Sequence, residues 1–277
     1  MTQVPTIPTT AAPTRPSKLV ARFTPDLLVA GEHALCPGCG EPVAIRSAVE
    51  IIQELGFAQR AAGVFGIGCY TAFSRKLDVE VVQALHGRAP SLATGIKRTR
   101  PDLLVFTVQG DGDMVNEGLQ EVVHAAARGE RVTCILLNNG VFGETGGHMT
   151  ATTVLGQRTK NTLEGRDPER HGYPILIGDI LASLAGTAYA ARGAVNSAGN
   201  VSRTRRMLQR AFELQMAGAG FTFVEILTMC PTGWFIPTEE APEYLGSRLA
   251  GTHAVGVLKD VDAPDRDQPV DGATAGD

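Results

Sequence analysis

The apolar positions of this chain change period in a regular alternation, and that alternation predicts its architecture. Val43, Ile45, Val49, Ile52 and Leu55 recur near helical spacing over residues 41–56, and Gly56 supplies a stop. AAGVFGIG (61–68) reads as a short apolar strand ending in glycine. A helix follows from about Pro90 and closes at Pro101, and LLVFTVQG (103–110) is a continuous apolar strand. From Met114 to Arg128 a helix is predicted, with Val115, Leu119, Val122, Val123 and Ala126 on one face and Gly129 at its end. VTCILLNN (132–139) is the next strand. Strands that are apolar throughout belong to a sheet covered on both faces, so the pattern predicts an α/β fold with a mostly parallel sheet flanked by helices on both faces. Further along, residues 173–186 read as a helix, AYAARGAV (188–195) as a strand, 202–217 as an amphipathic helix and FTFVEILT (221–228) as the last sheet strand. Residues 143–172 are polar and glycine-rich. Thirty residues exceed a plain connection, which marks an active-site or partner-facing loop.

Length and composition narrow the picture. At 277 residues the chain can form one large domain, and 32 glycines suit a sheet with tight turns. The net charge is −4 and no basic block occurs, which excludes nucleic acid as an expected partner. No apolar run reaches the roughly 20 residues of a membrane span. The first residues lack the apolar core of a signal peptide, so a cytoplasmic location is expected. Composition divides the chain into a Pro/Thr-rich N-terminus expected to be disordered (1–20), a single α/β domain (21–258) and a polar tail (259–277).

Two constellations carry chemistry. Gly110-Asp111-Gly112 follows a buried strand and opens a predicted helix, the place where open α/β sheets bind ligands and where a helix start favours an anion. Asp111 would repel a phosphate unless a cation intervenes. Asn139 comes 28 residues later, at the end of the next strand, so both reach one sheet edge. Magnesium takes oxygen ligands, which Asp111, Asn139 and the backbone carbonyl of Val141 can offer beside a diphosphate. The plainer reading is a turn in which Asp111 caps a helix and Asn139 is a loop residue.

The second constellation is the cysteines. Cys134 sits in a predicted buried strand, where a thiol behaves as a small hydrophobe. The other four, Cys36 and Cys39 in CPGCG, Cys69 in GIGCYTAF and Cys230 in TMCPTGW, each stand beside Gly or Pro, or one residue from it, at the end of an element. An odd count and no secretion signal argue against a disulfide framework. Four thiolates suit tetrahedral zinc or a [4Fe–4S] cluster, and the spacing C-x2-C-x29-C-x160-C does not separate the two. A redox CxxC is a third option, disfavoured by the two extra cysteines.

CPGCG, GIGCYTAF, LHGRAPSLATG, GDGD, NNGVFGETGG and CPT, in this order over about residues 33–245, resemble the thiamine diphosphate-binding β subunit of 2-oxoacid:ferredoxin oxidoreductases. The resemblance implies a thiamine diphosphate-binding fold and CoA-dependent oxidative decarboxylation of a 2-oxoacid to acyl-CoA and CO2. Electrons would pass singly to a [4Fe–4S] cluster held by Cys36, Cys39, Cys69 and Cys230. It implies coenzyme A as co-substrate, and an α subunit supplying the glutamate that thiamine cofactors require, since no second thiamine-type domain is present. It also implies a ferredoxin or ferredoxin-like γ/δ subunit as electron acceptor. By the same resemblance Gly68 and Cys69 line the cofactor, and Gly112, Asp113, Gly143 and Thr145 contact the diphosphate or its metal. His86 stands near the reacting centre, with Arg88 either binding an anion or pairing with a neighbouring acid. His124 is expected to be structural, and Trp234 and Phe235 to close over the cluster or an interface.

Three departures put the substrate in question. Glu144 stands where the family carries Met, Leu or Asn, and His148 where Gln is typical; MVNE (114–117) is more polar than usual. A carboxylate at Glu144 would repel the substrate's own carboxylate unless paired or protonated, so it is either a catalytic or specificity-changing group or turns aside to Arg158. The alternatives are a thiamine-dependent decarboxylase or synthase that keeps its cysteines for structure, and a non-catalytic scaffold with a four-cysteine metal site.

Overall fold

A computed structural model describes residues 33–261. Its centre is a seven-stranded sheet. The strands are β1 (Ala61–Phe65), β2 (Glu80–Gln83), β3 (Leu104–Gly110), β4 (Thr133–Asn138), β7 (Thr187–Ala194), β8 (Phe221–Leu227) and β9 (Gly256–Asp260). Their order is β2-β1-β3-β4-β8-β7-β9, parallel throughout except for β9, which pairs antiparallel with β7. A two-residue hairpin, β5 (Val141–Phe142) with β6 (His148–Met149), stands apart.

Alternate strand residues feed two cores. Phe65, Phe106, Val108, Ile135, Leu137, Val224 and Ile226 pack with α1 (Glu41–Glu54) and α6 (Ala198–Ala217). Val64, Val105, Cys134, Leu136 and Phe223 pack with α2 (Ala89–Thr99), α3 (Leu119–Ala127) and α5 (Ile177–Ser183) on the other face. This two-faced burial is why β3 and β4 are apolar at consecutive positions. Cys134 lies fully buried in the second core, its thiol pushed up to about 12 by burial, as a packing residue. Past β6 the long loop holds one short helix, α4 (Pro168–His171), capped by the Asp167 carboxylate, which accepts from Glu169 N–H at 3.0 Å. Among the described residues no helix is long and apolar enough to cross a membrane.

Several boundaries differ from expectation. The helix predicted over 114–128 is two pieces: a wide π-type turn over Gly112–Glu117, then α3 after a break at Gly118. A Cβ at Gly118 would stand 2.7 Å from the Cα of Gly87, so the break lets two chain segments touch. The helix over 173–186 shrinks to Ile177–Ser183, because the backbone before it is engaged elsewhere: Ile175 N–H bonds the Ala151 carbonyl at 2.9 Å and the Tyr173 carbonyl accepts from Arg166 at 2.8 Å. Lys259 and Asp260, assigned to the polar tail, pair within β9, and Asp260 holds Arg210 at 2.8 Å. The 1–20 segment lies outside the described residues.

Candidate active site

Between β1 and β3 the chain reverses direction across the sheet, and the loops at the carboxyl ends of β1, β3 and β4 enclose a cavity of about 140 Å³. Gly68 and Cys69, Gly110 through Asp113, Asn139, Val141, Gly143, Glu144, Thr145 and His86 all line it. Every cofactor-lining residue predicted from the sequence is therefore brought to one hollow. Of the four predicted cluster cysteines, Cys69 lines it directly.

Asp111 is buried at the end of β3. Its Oδ2 accepts from the hydroxyls of Thr150 at 2.5 Å and Thr152 at 2.7 Å, and the backbone N–H of Asn139 also donates to the carboxylate. Burial nevertheless pushes Asp111 up to about 6, since these donors offset only part of the lost hydration. A buried carboxylate in that state is suited to a cation. Asn139 turns beside it, its Oδ1 accepting from Val141 N–H at 3.0 Å and its carbonyl accepting from the Trp234 indole at 2.8 Å. The donor set fits a magnesium diphosphate in chemistry: carboxylate, amide and carbonyl oxygens, next to glycines that admit phosphate. A Cβ at Gly112 would overlap the Phe142 ring, so only glycine fits there. The anion-favouring helix start is weaker than expected, since the element after Gly110-Asp111 is the six-residue wide turn.

Asp113 has a bracing task that the sequence did not show. Its Oδ1 accepts from Gly87 N–H at 2.9 Å and Ile67 N–H at 3.3 Å and lies 2.6 Å from His86 Nδ1. Its Oδ2 accepts from the Gln109 amide at 2.7 Å. Both oxygens are engaged, so Asp113 clamps the loops after β1 and β2 while it lines the cavity. It also fixes the His86 ring through Nδ1, which leaves Nε2 for the cavity that His86 lines. Arg88 pairs with Glu121 at 2.7 Å, the neighbouring-acid outcome. His124 is exposed on α3 and does not line the cavity. Thr145 Oγ1 lies 2.9 Å from His148 Nδ1, which joins the hairpin turn to β6.

The four candidate cysteines converge. A Cβ on Gly143 would stand 3.4 Å from Cys69 Sγ and 3.6 Å from Cys230 Sγ, so the two sulfurs flank the same glycine. Burial is the main cause that pushes Cys69 and Cys230 up to about 12 and Cys39 higher still; Glu41 raises all three, and neighbouring thiols add to it, Cys230 and Cys69 at Cys39, Cys230 and Cys36 at Cys69, and Cys36 at Cys230. Mutually destabilised thiolates fit a polynuclear cation that would hold them all. Among the described residues no three Cys, His, Asp or Glu side chains stand close enough to share one metal ion.

Three groups escaped the sequence reading. Glu41, directly after CPGCG, is 4% exposed, lines the cavity and has an Oε2 with no hydrogen-bond partner. Burial, with Asp111 and Glu144 nearby, pushes it up to about 8. Its signal is a carboxylate at the first position of the helix, directly after the CPGCG run. Thr150 and Thr152 carry the faint signal of a threonine-dense run, MTATTV. Tyr70, buried beside Asp113, also lines the hollow. Glu144 faces this cavity and forms no ion pair with Arg158, whose Nε instead donates to the Leu163 carbonyl at 2.9 Å.

A glycine-lined carboxylate–amide pair at the switch point of a parallel sheet defines a thiamine-type diphosphate-binding domain. Residues 66–226 match the family "Thiamine pyrophosphate enzyme, C-terminal TPP binding domain" (thiamine pyrophosphate being thiamine diphosphate). The ketoisovalerate oxidoreductase subunit VorA of Methanothermobacter thermautotrophicus is 36% identical over 225 residues, covering 81% of this chain and 47% of that one. The 2-oxoglutarate synthase subunit KorB of Archaeoglobus fulgidus is 35% identical over 197 residues, 71% of this chain and 69% of its own. In structure, the 2-oxoglutarate:ferredoxin oxidoreductase from Magnetococcus marinus, with 2-oxoglutarate, coenzyme A and succinyl-CoA bound, superposes with a TM-score of 0.69 at 26% identity, covering 88% of this chain and 87% of that chain. The chain belongs to the thiamine pyrophosphate enzymes, in the group of the 2-oxoacid:ferredoxin oxidoreductase β subunits. It spans about half the length of VorA, at 47%.

Proposed function

We propose that this chain is the cofactor-bearing β subunit of a CoA-dependent 2-oxoacid oxidoreductase that converts a 2-oxoacid to acyl-CoA and CO2. One observation carries the reading: Gly143 lines the Asp111–Asn139 cavity and is flanked by the sulfurs of Cys69 and Cys230. A diphosphate site and a thiol cluster share a wall, as decarboxylation coupled to single-electron transfer requires.

In this reading Asp111, Asn139 and the Val141 carbonyl hold Mg2+ on the diphosphate, and Cys36, Cys39, Cys69 and Cys230 hold a [4Fe–4S] cluster. When bound, thiamine diphosphate supplies the electron sink for decarboxylation and the cluster a one-electron acceptor. The chain's own residues do the rest. Thr150 and Thr152 fix the Asp111 carboxylate. Asp113 orients His86 so that Nε2 can hold or move a proton at the substrate. Phe142, in the cavity wall, excludes water from it. An α subunit completes the cofactor site, and a ferredoxin or ferredoxin-like γ/δ subunit takes the electrons. Free thiols and an iron–sulfur cluster suit the reducing cytoplasm.

Co-expression with the α partner and anaerobic purification test this. The expected product is a brown complex containing thiamine, magnesium and iron that makes acyl-CoA from a 2-oxoacid. A colourless, zinc-containing complex without thiamine supports the scaffold reading instead.

A further inference from the structure

Outside the cofactor cavity, a second hollow of about 390 Å³ opens against Trp234, a volume typical of small-molecule sites. Its walls include Leu163, Phe235, Tyr244 and the two arginines Arg158 and Arg248, and no carboxylate lines it. Arg158 commits only its Nε, to the Leu163 carbonyl, and among the described residues neither arginine pairs with an acid. Leu163 and Phe235 are 64% and 60% exposed. Phe235 is also the one non-glycine residue of the described chain with a left-handed backbone, at φ 59°, so the fold holds that ring outward under strain. Apolar walls suit a planar body. Two unpaired guanidiniums suit a doubly charged anion better than a single carboxylate.

We propose that this cavity is a binding site for a nucleoside phosphate, with Arg158 and Arg248 taking the phosphate and the Phe235–Leu163 wall taking the base. Two hydrogen bonds join its lining to the cofactor cavity. Trp234 donates to the Asn139 carbonyl at 2.8 Å, and the Gln157 amide donates to the Gly140 carbonyl at 3.2 Å. An occupant that braces Trp234 and Gln157 therefore braces the Asn139–Gly140 turn, and nucleotide binding should slow loss of the metal from the neighbouring site.

Equilibrium dialysis of the assembled complex against labelled ADP, adenosine and inorganic phosphate tests the site without any turnover. The expected result is one saturable ADP site per copy of this chain, with adenosine and phosphate each at least about tenfold weaker. Arg158→Gln with Arg248→Gln should weaken ADP by about tenfold or more, with thiamine, iron and subunit composition unchanged. Displacement of ADP by coenzyme A would identify the ligand as that coenzyme's nucleotide, and no displacement would identify a free nucleotide. The proposal is overturned if ADP does not bind, if the double variant binds it equally well, or if that variant sheds its partner subunit, which would make the hollow a subunit contact.

Discussion

The indole N–H of Trp234 donates to the backbone carbonyl of Asn139 at 2.8 Å, across a buried contact. Trp234 closes the short helix α7 (Pro231–Trp234) that begins next to Cys230. One turn of helix thus ties Cys230, a proposed cluster ligand, to the turn that presents Asn139, a proposed metal ligand. The sequence suggests that Trp234 covers the cluster or an interface; in the fold it braces the Asn139 turn and stacks on Tyr244 at 4.6 Å. Trp234→Phe keeps an aromatic ring and removes the donor. The orphaned carbonyl should cost about 1–3 kcal/mol in stability, and magnesium should bind at least several-fold more weakly. Chemical denaturation and metal titration of the complex check both.

Asp111 and its two threonines form a unit. Thr152→Val removes the one hydroxyl proton that reaches Asp111 Oδ2 at 2.7 Å, with Asn138 Oδ1 at 3.1 Å as its alternative acceptor. Cofactor affinity should fall about tenfold, from the loss of a charge-assisted hydrogen bond. Asp111→Asn should abolish magnesium-dependent thiamine binding while the fold survives, since an amide still accepts from Thr150. Isothermal titration with thiamine diphosphate and Mg2+ reads the difference.

Glu41 sets a pH dependence. Its carboxyl titrates at about 8 in the fold against an ordinary 4.5, so the folded state holds the proton more tightly than the unfolded chain. In metal-free protein, stability is therefore greatest below about pH 4.5 with respect to this group. It falls as pH rises through the window to about 8. Asp111 acts in the same direction between 3.8 and about 6. Glu41→Gln should flatten the upper part of this decline. It should also stabilise the metal-free protein at pH 8 by a few kcal/mol, since each tenfold change in proton affinity is worth about 1.4 kcal/mol. Urea midpoints of both forms at pH 6 and pH 8 decide it; an unchanged difference contradicts the assignment.

Much of this was legible in the sequence, for physical reasons. Strands β3 and β4 announce themselves because burial on both faces makes them apolar over nearly their whole length. The chemistry-bearing residues stand at strand ends, where glycine and cysteine are conspicuous. Edge strands were not legible: β2 is largely exposed and β9 is GVLKD, half polar. Nor were the hydroxyls that hold Asp111, which act across 39 and 41 residues of sequence. The clamp that Asp113 makes on Ile67, His86 and Gly87 was hidden too, because a clamp and a contact to the diphosphate or its metal look alike as a letter in GDGD.

Glu144 makes a substrate prediction. It lines the cavity without a cationic partner among the described residues, beside Glu41. Glu144→Met should raise kcat/KM for apolar 2-oxoacids by about tenfold, the scale of about 1.4 kcal/mol of relieved repulsion. A panel of branched, aryl and dicarboxylic 2-oxoacids measures it. An unchanged profile would show that Glu144 has no part in selection.

The cysteines provide the most direct test. Iron and acid-labile sulfide should be present in the anaerobically purified complex and absent after Cys69→Ser or Cys230→Ser. Cys134→Ser, buried in the apolar core, should leave both in place. In the intact complex, adding a 2-oxoacid with CoA should bleach the iron–sulfur absorbance, and adding buffer alone should not. A complex that carries no iron, or whose iron is indifferent to the 2-oxoacid, would contradict the placing of a diphosphate site and a redox cluster on either side of Gly143.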